Sequence, residues 1–209
     1  MAPPAARRRL AGALFLAMLA GCSSGDGNPV ATNTPAPAPA VTLPPGPLAD
    51  QVLQPGDLDV NLVPILAQTG PADIAKIASF SGDPAAAQTA LTAHGFQAAY
   101  VVQYGDSASG AVLTNVVTSF ATEGGARDDL TADLAAAGSG GTPVATDGLG
   151  DQAGGINAPL DPTAGTGQLI TLRWRVGATT WLLAVGSPQT LDEPAVRSLA
   201  DLLVTRARD

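Results

Sequence analysis

The sequence has little of the chemistry from which most enzyme active sites and metal centres are built. It contains one Cys and one His in 209 residues. A single Cys excludes an internal disulfide and any zinc or iron–sulfur site made of cysteines. A single His makes a histidine-based metal site or a catalytic triad difficult to assemble. We therefore expect no cofactor and predict no metal ligands.

Charged residues are also scarce, and most of those present are acidic. They make up 13% of the chain, against about 25% in an average soluble domain. Ten Lys and Arg residues against 18 Asp and Glu residues give a net charge of −8. Contacts to phosphates need clustered cations, so we expect no nucleic-acid partner.

The most specific pattern lies in the first 22 residues. Arg7, Arg8 and Arg9 precede an uncharged apolar run from Leu10 to Ala20. This run is too short to span a bilayer, which takes about 20 residues, but it fits the apolar region of a signal peptide. The run leads into Leu19-Ala20-Gly21-Cys22, which resembles the lipobox of bacterial lipoproteins. The resemblance implies a signal peptide over residues 1–21, cleavage before Cys22, and attachment of diacylglycerol to the Cys22 sulfur.

The same resemblance implies a location. Two or more acyl chains hold a protein stably on a membrane, so we expect a lipid-anchored protein on the extracytoplasmic face of the cell membrane. The outer membrane is the alternative if the cell has two membranes. Cleavage would remove three basic residues and no acidic one, which leaves a side-chain net charge of −11. Export is predicted to use the general secretory route, although Arg8-Arg9-Leu10 also matches part of a twin-arginine signal.

Composition divides the mature chain into a tether and a domain. Residues 22–47 are rich in Pro, Ala and Thr, show no apolar periodicity, and so cannot bury a core. We predict a disordered, semi-rigid spacer here, with a docking motif or a glycosylated stalk as the alternative. Residues 48–209 are enough for a single domain that buries roughly 70% of the surface of its unfolded chain.

Apolar periodicity predicts the elements of this domain. Helices are expected from Gly70 to Phe80, from Pro84 to Gly95, from Thr122 to Gly138, and near the C-terminus. Strands are expected over Phe96–Tyr104, Val112–Phe120, Gln168–Val176 and Thr179–Gly186. The order predicts an α+β domain, in which helices pack on an antiparallel sheet built from two strand–strand–helix units.

The last hairpin has a register that the sequence itself can test. A two-residue turn at Gly177-Ala178 pairs Val176 with Thr179. Trp174 then lies opposite Trp181, and the large apolar residues share one face. Arg173 and Arg175 fall on the other face.

The layout resembles small exported lipoproteins of high-GC bacteria. It combines a lipobox, a Pro-rich tether, a helix leading into a hairpin, and Gly148-Leu149-Gly150-Asp151-Gln152-Ala153 before the last hairpin. Domains of such proteins are similar to the PsbP-like α/β/α sandwich or to the extracytoplasmic sensor domain of some serine/threonine kinases. The resemblance is one of layout, and it implies no catalytic residues.

Two motifs are candidates for a catalytic or a metal site. Val101 to Ser109 resembles the first block of GDSL-type serine hydrolases, with Ser107 as nucleophile. Such a serine needs a His base, and the chain offers only His94, which lies upstream of Ser107 in the last turn of a predicted helix, where a His is a common C-terminal residue. Asp57-x-Asp59-x-Asn61 resembles the start of a calcium loop but lacks the required Gly and Glu, and the Asp-rich stretch 147–161 is a second candidate.

The remaining candidates are binding residues. Trp174 and Trp181 are predicted either as a core pair or as the lining of an apolar ligand pocket. Arg173 and Arg175 are predicted either as a solvated strand face or as contacts to an anion or an acidic partner. We therefore expect a non-enzymatic lipoprotein that binds a partner protein or an apolar envelope ligand. A serine hydrolase using Ser107 and a structural or assembly subunit of an envelope complex are the alternatives.

Overall fold

The computed structural model describes residues 41–58, 61–137 and 140–208. The predicted signal peptide, Cys22 and the tether as far as residue 40 lie outside the described residues. The strands are β1 (Val63–Pro64), β2 (Gly70–Ala72), β3 (Phe96–Gly105), β4 (Val112–Phe120), β5 (Thr142–Pro143), β6 (Gln152–Ala158), β7 (Gln168–Val176) and β8 (Thr179–Ser187). The helices are α1 (Ile74–Ala78), α2 (Pro84–Ala93), α3 (Glu123–Ala137) and α4 (Glu193–Arg208).

The eight strands form one antiparallel sheet in the order β1-β3-β4-β8-β7-β6-β5, and β2 pairs with β3 beside β1. The hairpin of β3 and β4 leads into α3, and the hairpin of β7 and β8 leads into α4. The predicted α+β fold with two strand–strand–helix units is therefore confirmed.

The predicted register of the last hairpin is confirmed as well. Val176 pairs with Thr179, and Trp174 lies opposite Trp181. Gly177 adopts a φ of 57° at the turn, a conformation that costs glycine little. The large apolar residues of both strands consequently lie on one side of the sheet.

The sheet has two covered faces. The tryptophan face, the side that carries Trp174 and Trp181, packs against α4 through Val196, Ala200 and Leu203. The arginine face, the opposite side that carries Arg173 and Arg175, is partly covered by α1, α2 and α3. Each strand supplies side chains to both faces, because successive residues of a strand point to opposite sides of the sheet.

An N-terminal strap, residues 41–58, completes the core on the tryptophan face. Val52 and Leu53 are fully buried. Five side chains of the sheet and α4 bind the strap: Tyr100 to Pro44 O, Tyr104 to Leu53 O, Trp181 to Gln51 O, Arg206 to Val52 O and Asp57, and Asn115 to Leu53 N. These bonds join segments more than 50 residues apart in sequence.

Residues ahead of the domain start expected at residue 48 also contact the core. The compact unit begins at Val41, and Leu43 is buried in the core. A single Leu beside prolines gives no periodicity, so composition does not predict this contact. The Tyr100 hydroxyl donates a hydrogen bond to Pro44 O at 2.6 Å, and these residues lie 56 positions apart in the sequence. Local sequence patterns do not predict such a distant contact.

Two further elements differ from the sequence prediction. The helix expected from Gly70 begins at Ile74 instead, because Asp73 caps it by accepting a hydrogen bond from Lys76 N. Gly70 to Ala72 pair with β3 as a short strand. The strand β6 was not predicted, because its Gly154 and Gly155 break the alternation of large and small side chains.

Candidate functional site

The tryptophan pair lies in the hydrophobic core. Trp174 is fully buried and Trp181 is 3% exposed. Their rings stack with centroids 6.2 Å apart and planes 5° apart. Trp181 Nε1 donates a hydrogen bond to Gln51 O at 3.2 Å, which ties the strap to the hairpin. Of the two predicted roles, the structure provides the core pair.

The two arginines of the opposite face each have an acidic neighbour. Arg173 Nε lies 3.4 Å from Asp133 of α3, and Arg175 Nη1 lies 3.2 Å from Asp151. Asp151 also accepts a hydrogen bond from Gly177 N at 2.8 Å. Gly150 before it has a φ of 59°, and a Cβ there would meet the carbonyl of Arg175. The Gly-Asp turn thus fixes the hairpin, and each arginine has a carboxylate beside it, although the buried Nε atoms of Arg173 and Arg175 have no hydrogen-bond partner among the described residues.

The structure separates the two residues that a serine hydrolase would need to bring together. His94 is the C-cap of α2, just before β3 begins, and Ser107 follows the end of β3. A ten-residue strand places its ends roughly 30 Å apart. Asp106, beside Ser107, accepts hydrogen bonds from Ala108 N and the Ser109 hydroxyl, and the Ser109 bond is the main cause of its lowered pKa. This loop is an internally bonded turn.

His94 belongs to an ionisable cluster that sequence reasoning did not find. Its Nδ1 lies 3.3 Å from Asp129 of α3, so the pair joins α2 to α3. Burial, and then the negative charge of Asp133 one turn further on, raise the pKa of Asp129 to about 6. The i, i+4 spacing of Asp129 and Asp133 predicts that they are neighbours on one face of a helix. Their closeness to His94, however, depends on how α2 and α3 pack.

The candidate calcium residues serve other purposes where the structure describes them. Asp57 is bound by Arg206 Nη2 at 3.0 Å through both carboxylate oxygens. Asp161 accepts hydrogen bonds from Thr163 N and Ala164 N within its own turn. Asp59 lies outside the described residues. In the described ranges, no group of three or more His, Cys, Asp or Glu side chains is placed to hold a metal ion.

The most unusual surface lies on the arginine face, where one row of paired residues crosses the sheet. Val63 pairs with Gly105, Gly105 with Val112, and Val112 with Gly186. Gly186 pairs in turn with Leu169. Residues directly opposite each other on neighbouring strands share a face. Three apolar side chains and two glycines therefore lie side by side near one end of the strands.

Two more apolar side chains fill the places that the glycines leave open. A Cβ built on Gly105 would lie 3.3 Å from Ile65 Cδ1, and one on Gly186 would lie 2.9 Å from Leu160 Cδ1. Ile65 and Leu160 therefore lie over the two glycines. We name the resulting surface the apolar row, whose members are Val63, Ile65, Val112, Leu160 and Leu169.

Three of the five members of the apolar row are exposed to solvent. Val63 is 55% exposed, Val112 41% and Leu160 40%, while Ile65 and Leu169 are partly buried. The described residues include seven exposed large apolar side chains, and these are three of them. Clustering of this kind marks an interaction site more often than scattered exposure does. The sequence missed it because the row joins five strands that are distant in the chain.

Two open surface pockets lie elsewhere. One, of about 380 Å³, is lined by residues that include Asn157, Gln168 and Gln189. The other, of about 560 Å³, lies beside Pro71, Lys76 and Phe96. Neither includes a tryptophan, so these pockets give no support to ligand binding beneath the Trp hairpin. Within the described residues, no helix is long and apolar enough to cross a membrane.

The similarity of this chain to known proteins is low. No protein-family model matches the chain, and no curated protein matches it. Among solved structures, the extracellular domain of PknH from Mycobacterium tuberculosis is similar over 58% of this chain and 70% of that chain, with 11% sequence identity and a TM-score of 0.41.

Proposed function

We propose that this protein is a non-enzymatic, lipid-anchored lipoprotein of the cell envelope. Its α+β domain is displayed on the extracytoplasmic face and binds a partner protein or an apolar envelope ligand through the apolar row. The observation that carries this proposal is the joint exposure of Val63, Val112 and Leu160 on one row of the sheet. Exposed apolar side chains in one patch favour contact with another apolar surface.

We assign the binding role to the apolar row because the residues that the sequence predicted for this role already contact other residues of the domain. Trp174 and Trp181 are buried against each other. Arg173 and Arg175 lie beside Asp133 and Asp151. The apolar row, by contrast, faces solvent.

The backbone holds the apolar row in a fixed shape. Val112 pairs on one side with Gly105 and on the other with Gly186, so its position is set by two neighbouring strands. A surface that is ordered before binding loses less conformational entropy on association. The row is thus suited to a specific partner.

The lipid anchor is supported by the sequence alone. The lipobox-like Leu19-Ala20-Gly21-Cys22 follows a basic segment and an apolar run in the order that bacterial lipoproteins use. An anchor at Cys22 would hold the domain near the membrane through the residues that precede the strap.

Site-specific photo-crosslinking in the native cell tests the binding role. We place p-benzoylphenylalanine at Val112 and, as a matched control, at Leu202, an exposed apolar residue of α4 that is 38% exposed. We expect a discrete adduct from Val112 and none from Leu202. The absence of an adduct at Val112, or the same adducts at both positions, would contradict the proposal.

A fluorophosphonate probe tests the non-enzymatic part of the proposal. The probe reacts with activated serines, and Ser107 has no His base near it. We expect no labelling of the folded protein. Labelling that disappears in the Ser107→Ala variant would show an active serine and overturn this part of the proposal.

A further inference from the structure

We propose that the apolar row binds the apolar face of a basic amphipathic helix from another protein, laid across the strands. This inference deepens the proposed function and rests on it, because it names the partner of the same surface. Its support comes from the edges of the sheet, the length of the row and the charges around it.

The edges of the sheet argue against a partner that adds a strand. The outer strands are β1 and β2 on one side and β5 on the other. Each contains a proline: Pro64 in β1, Pro71 in β2 and Pro143 in β5. Proline has no N–H to donate and blocks strand pairing at an edge. Although β5 pairs with only Ile156 and Asn157 of β6, these prolines favour a partner that contacts side chains on the face of the sheet.

The length of the apolar row fits a short helix. The row runs from Val63 in β1 to Leu169 in β7, across β3, β4 and β8. Four spacings between strands of about 4.8 Å give about 19 Å. A helix rises 1.5 Å per residue, so about 13 residues span this distance in three to four turns.

The floor beside the apolar row leaves room for such a helix. The next row of the same face includes Thr114 paired with Ala184, and both are only partly buried, whereas Gln103 and Thr171 on either side of this pair are buried. Ala184 is shorter than Val112 and Leu160, and Thr114 is no larger than a Val. An apolar helix face can therefore rest on the row and this floor together.

The charges around the apolar row favour a basic partner. The segments that frame it are residues 61–69, 105–111 and 159–168. They carry Asp106 and Asp161 and no basic residue. An aspartate is ionised at neutral pH even at its ordinary pKa, and the hydrogen bond from the Ser109 hydroxyl lowers the pKa of Asp106 further. Lys or Arg residues flanking an apolar helix face would complement both carboxylates.

The same charges disfavour two other occupants. A second copy of this chain would bring Asp106 and Asp161 against the same acidic residues, and like charges repel. Anionic lipid headgroups would repel them too. A basic amphipathic helix satisfies both the apolar row and its acidic flanks.

Binding of designed peptides to the full chain tests the inference. The protein is held in nanodiscs of neutral phosphatidylcholine, with empty nanodiscs as the background. The probes are two fluorescent helical peptides of about 14 residues. Both have Leu at i, i+3, i+4 and i+7, and their other positions are Lys in one peptide and Glu in the other. Each carries a benzophenone so that the contact site can be mapped by mass spectrometry.

We expect the Lys peptide to bind and to crosslink within the three framing segments or β4. The Val112→Asp variant should weaken this binding by about tenfold or more, because it removes a buried apolar contact and adds an acidic group beneath the Leu side chains. Val63→Asp is a second variant at an exposed position, and Leu202→Asp should have no effect. Asp106→Asn combined with Asp161→Asn should weaken binding by about threefold at low ionic strength.

The outcomes separate this inference from the proposed function. Equal affinity for both peptides, lost on Val112→Asp, would keep the apolar site but overturn the basic helix. Equal binding of the Lys peptide by the Val112→Asp and Leu202→Asp variants would overturn both. Crosslinks from the row to lipid or to a second copy, in place of the peptide, would overturn the helix and identify the other occupant.

Discussion

Replacing Trp174 by Ala tests the core of the domain at its largest buried side chain. The indole is fully buried, stacks on Trp181, and lies against the turn at Gly150. Trp→Ala changes in cores cost about 3–5 kcal/mol. The ring is fully buried, but its N–H has no hydrogen-bond partner among the described residues, so we expect a cost within this range. For a domain of this size, such a loss lowers the melting temperature by roughly 6–20 °C.

The assay is thermal unfolding followed by near-ultraviolet circular dichroism, which also reports the ring environment. Leu202→Ala is the control, since an exposed helix residue should change stability by about 0.5 kcal/mol or less. Trp174→Phe should fall between the two, because it keeps an aromatic ring and loses no hydrogen bond. A Trp174→Ala variant that melts with the wild type would refute both the core assignment and the hairpin register.

Three further predictions address the strap, the ionisable cluster and the anchor. Asn115→Ala should lower the free energy of unfolding by about 1–3 kcal/mol in urea titrations, because it leaves the buried Leu53 N–H without an acceptor; an unchanged midpoint would show that the strap does not depend on this bond. The raised pKa of Asp129 means that the folded state binds this proton more tightly than the unfolded state, so its contribution to stability declines as pH rises from about 4 through 6. Asp129→Asn should remove that decline from stability measured across this range, and identical pH profiles for the two proteins would contradict the assignment. Cys22→Ala should block lipidation, which intact mass and membrane fractionation measure; an unmodified Cys22 in the wild type would refute the anchor.

Sequence reasoning predicted the parts of the fold that local patterns determine. The spans of β4 and β7 were predicted to the residue, and the register of the last hairpin followed from its two-residue turn. These elements combine strong alternation with clear turn residues, so local preference and tertiary packing agree. The α+β class followed from their order.

Elements that depend on distant partners were not predicted. The strand β6 consists mostly of small residues, and it pairs because β7 offers a free edge. A Cβ on Gly154 would meet the Leu134 side chain of α3. Gly154 is therefore required by the close approach of α3 to β6, and a single sequence does not reveal such a contact. The strap and the short proline-containing strands were not predicted for the same reason, because they too are held by residues that are distant in the sequence.

The residues of the candidate site were likewise predictable only where local patterns determine their positions. The sequence placed Trp174 and Trp181 together correctly, but hydrophobic patterning alone does not distinguish a core pair from a pocket lining. The apolar row could not be seen, because Val63, Val112 and Leu160 belong to separate segments. Only strand pairing brings them side by side, and only the surrounding packing leaves them exposed.

The most direct test of the central claim is the accessibility of the apolar row on living cells. The chain has a single Cys, and the proposed lipidation blocks it, so a Cys introduced elsewhere can be labelled selectively. The Val112→Cys and Leu202→Cys variants are treated with a membrane-impermeant maleimide, both on intact cells and after purification.

For an extracytoplasmic domain whose apolar row is occupied, we expect both variants to label at similar rates once purified. On intact cells, Leu202→Cys should label and Val112→Cys should be protected. Equal labelling of both variants on intact cells would show an unoccupied row. Labelling of both only after the cytoplasmic membrane itself is permeabilised would place the domain in the cytoplasm, and either result would contradict the account.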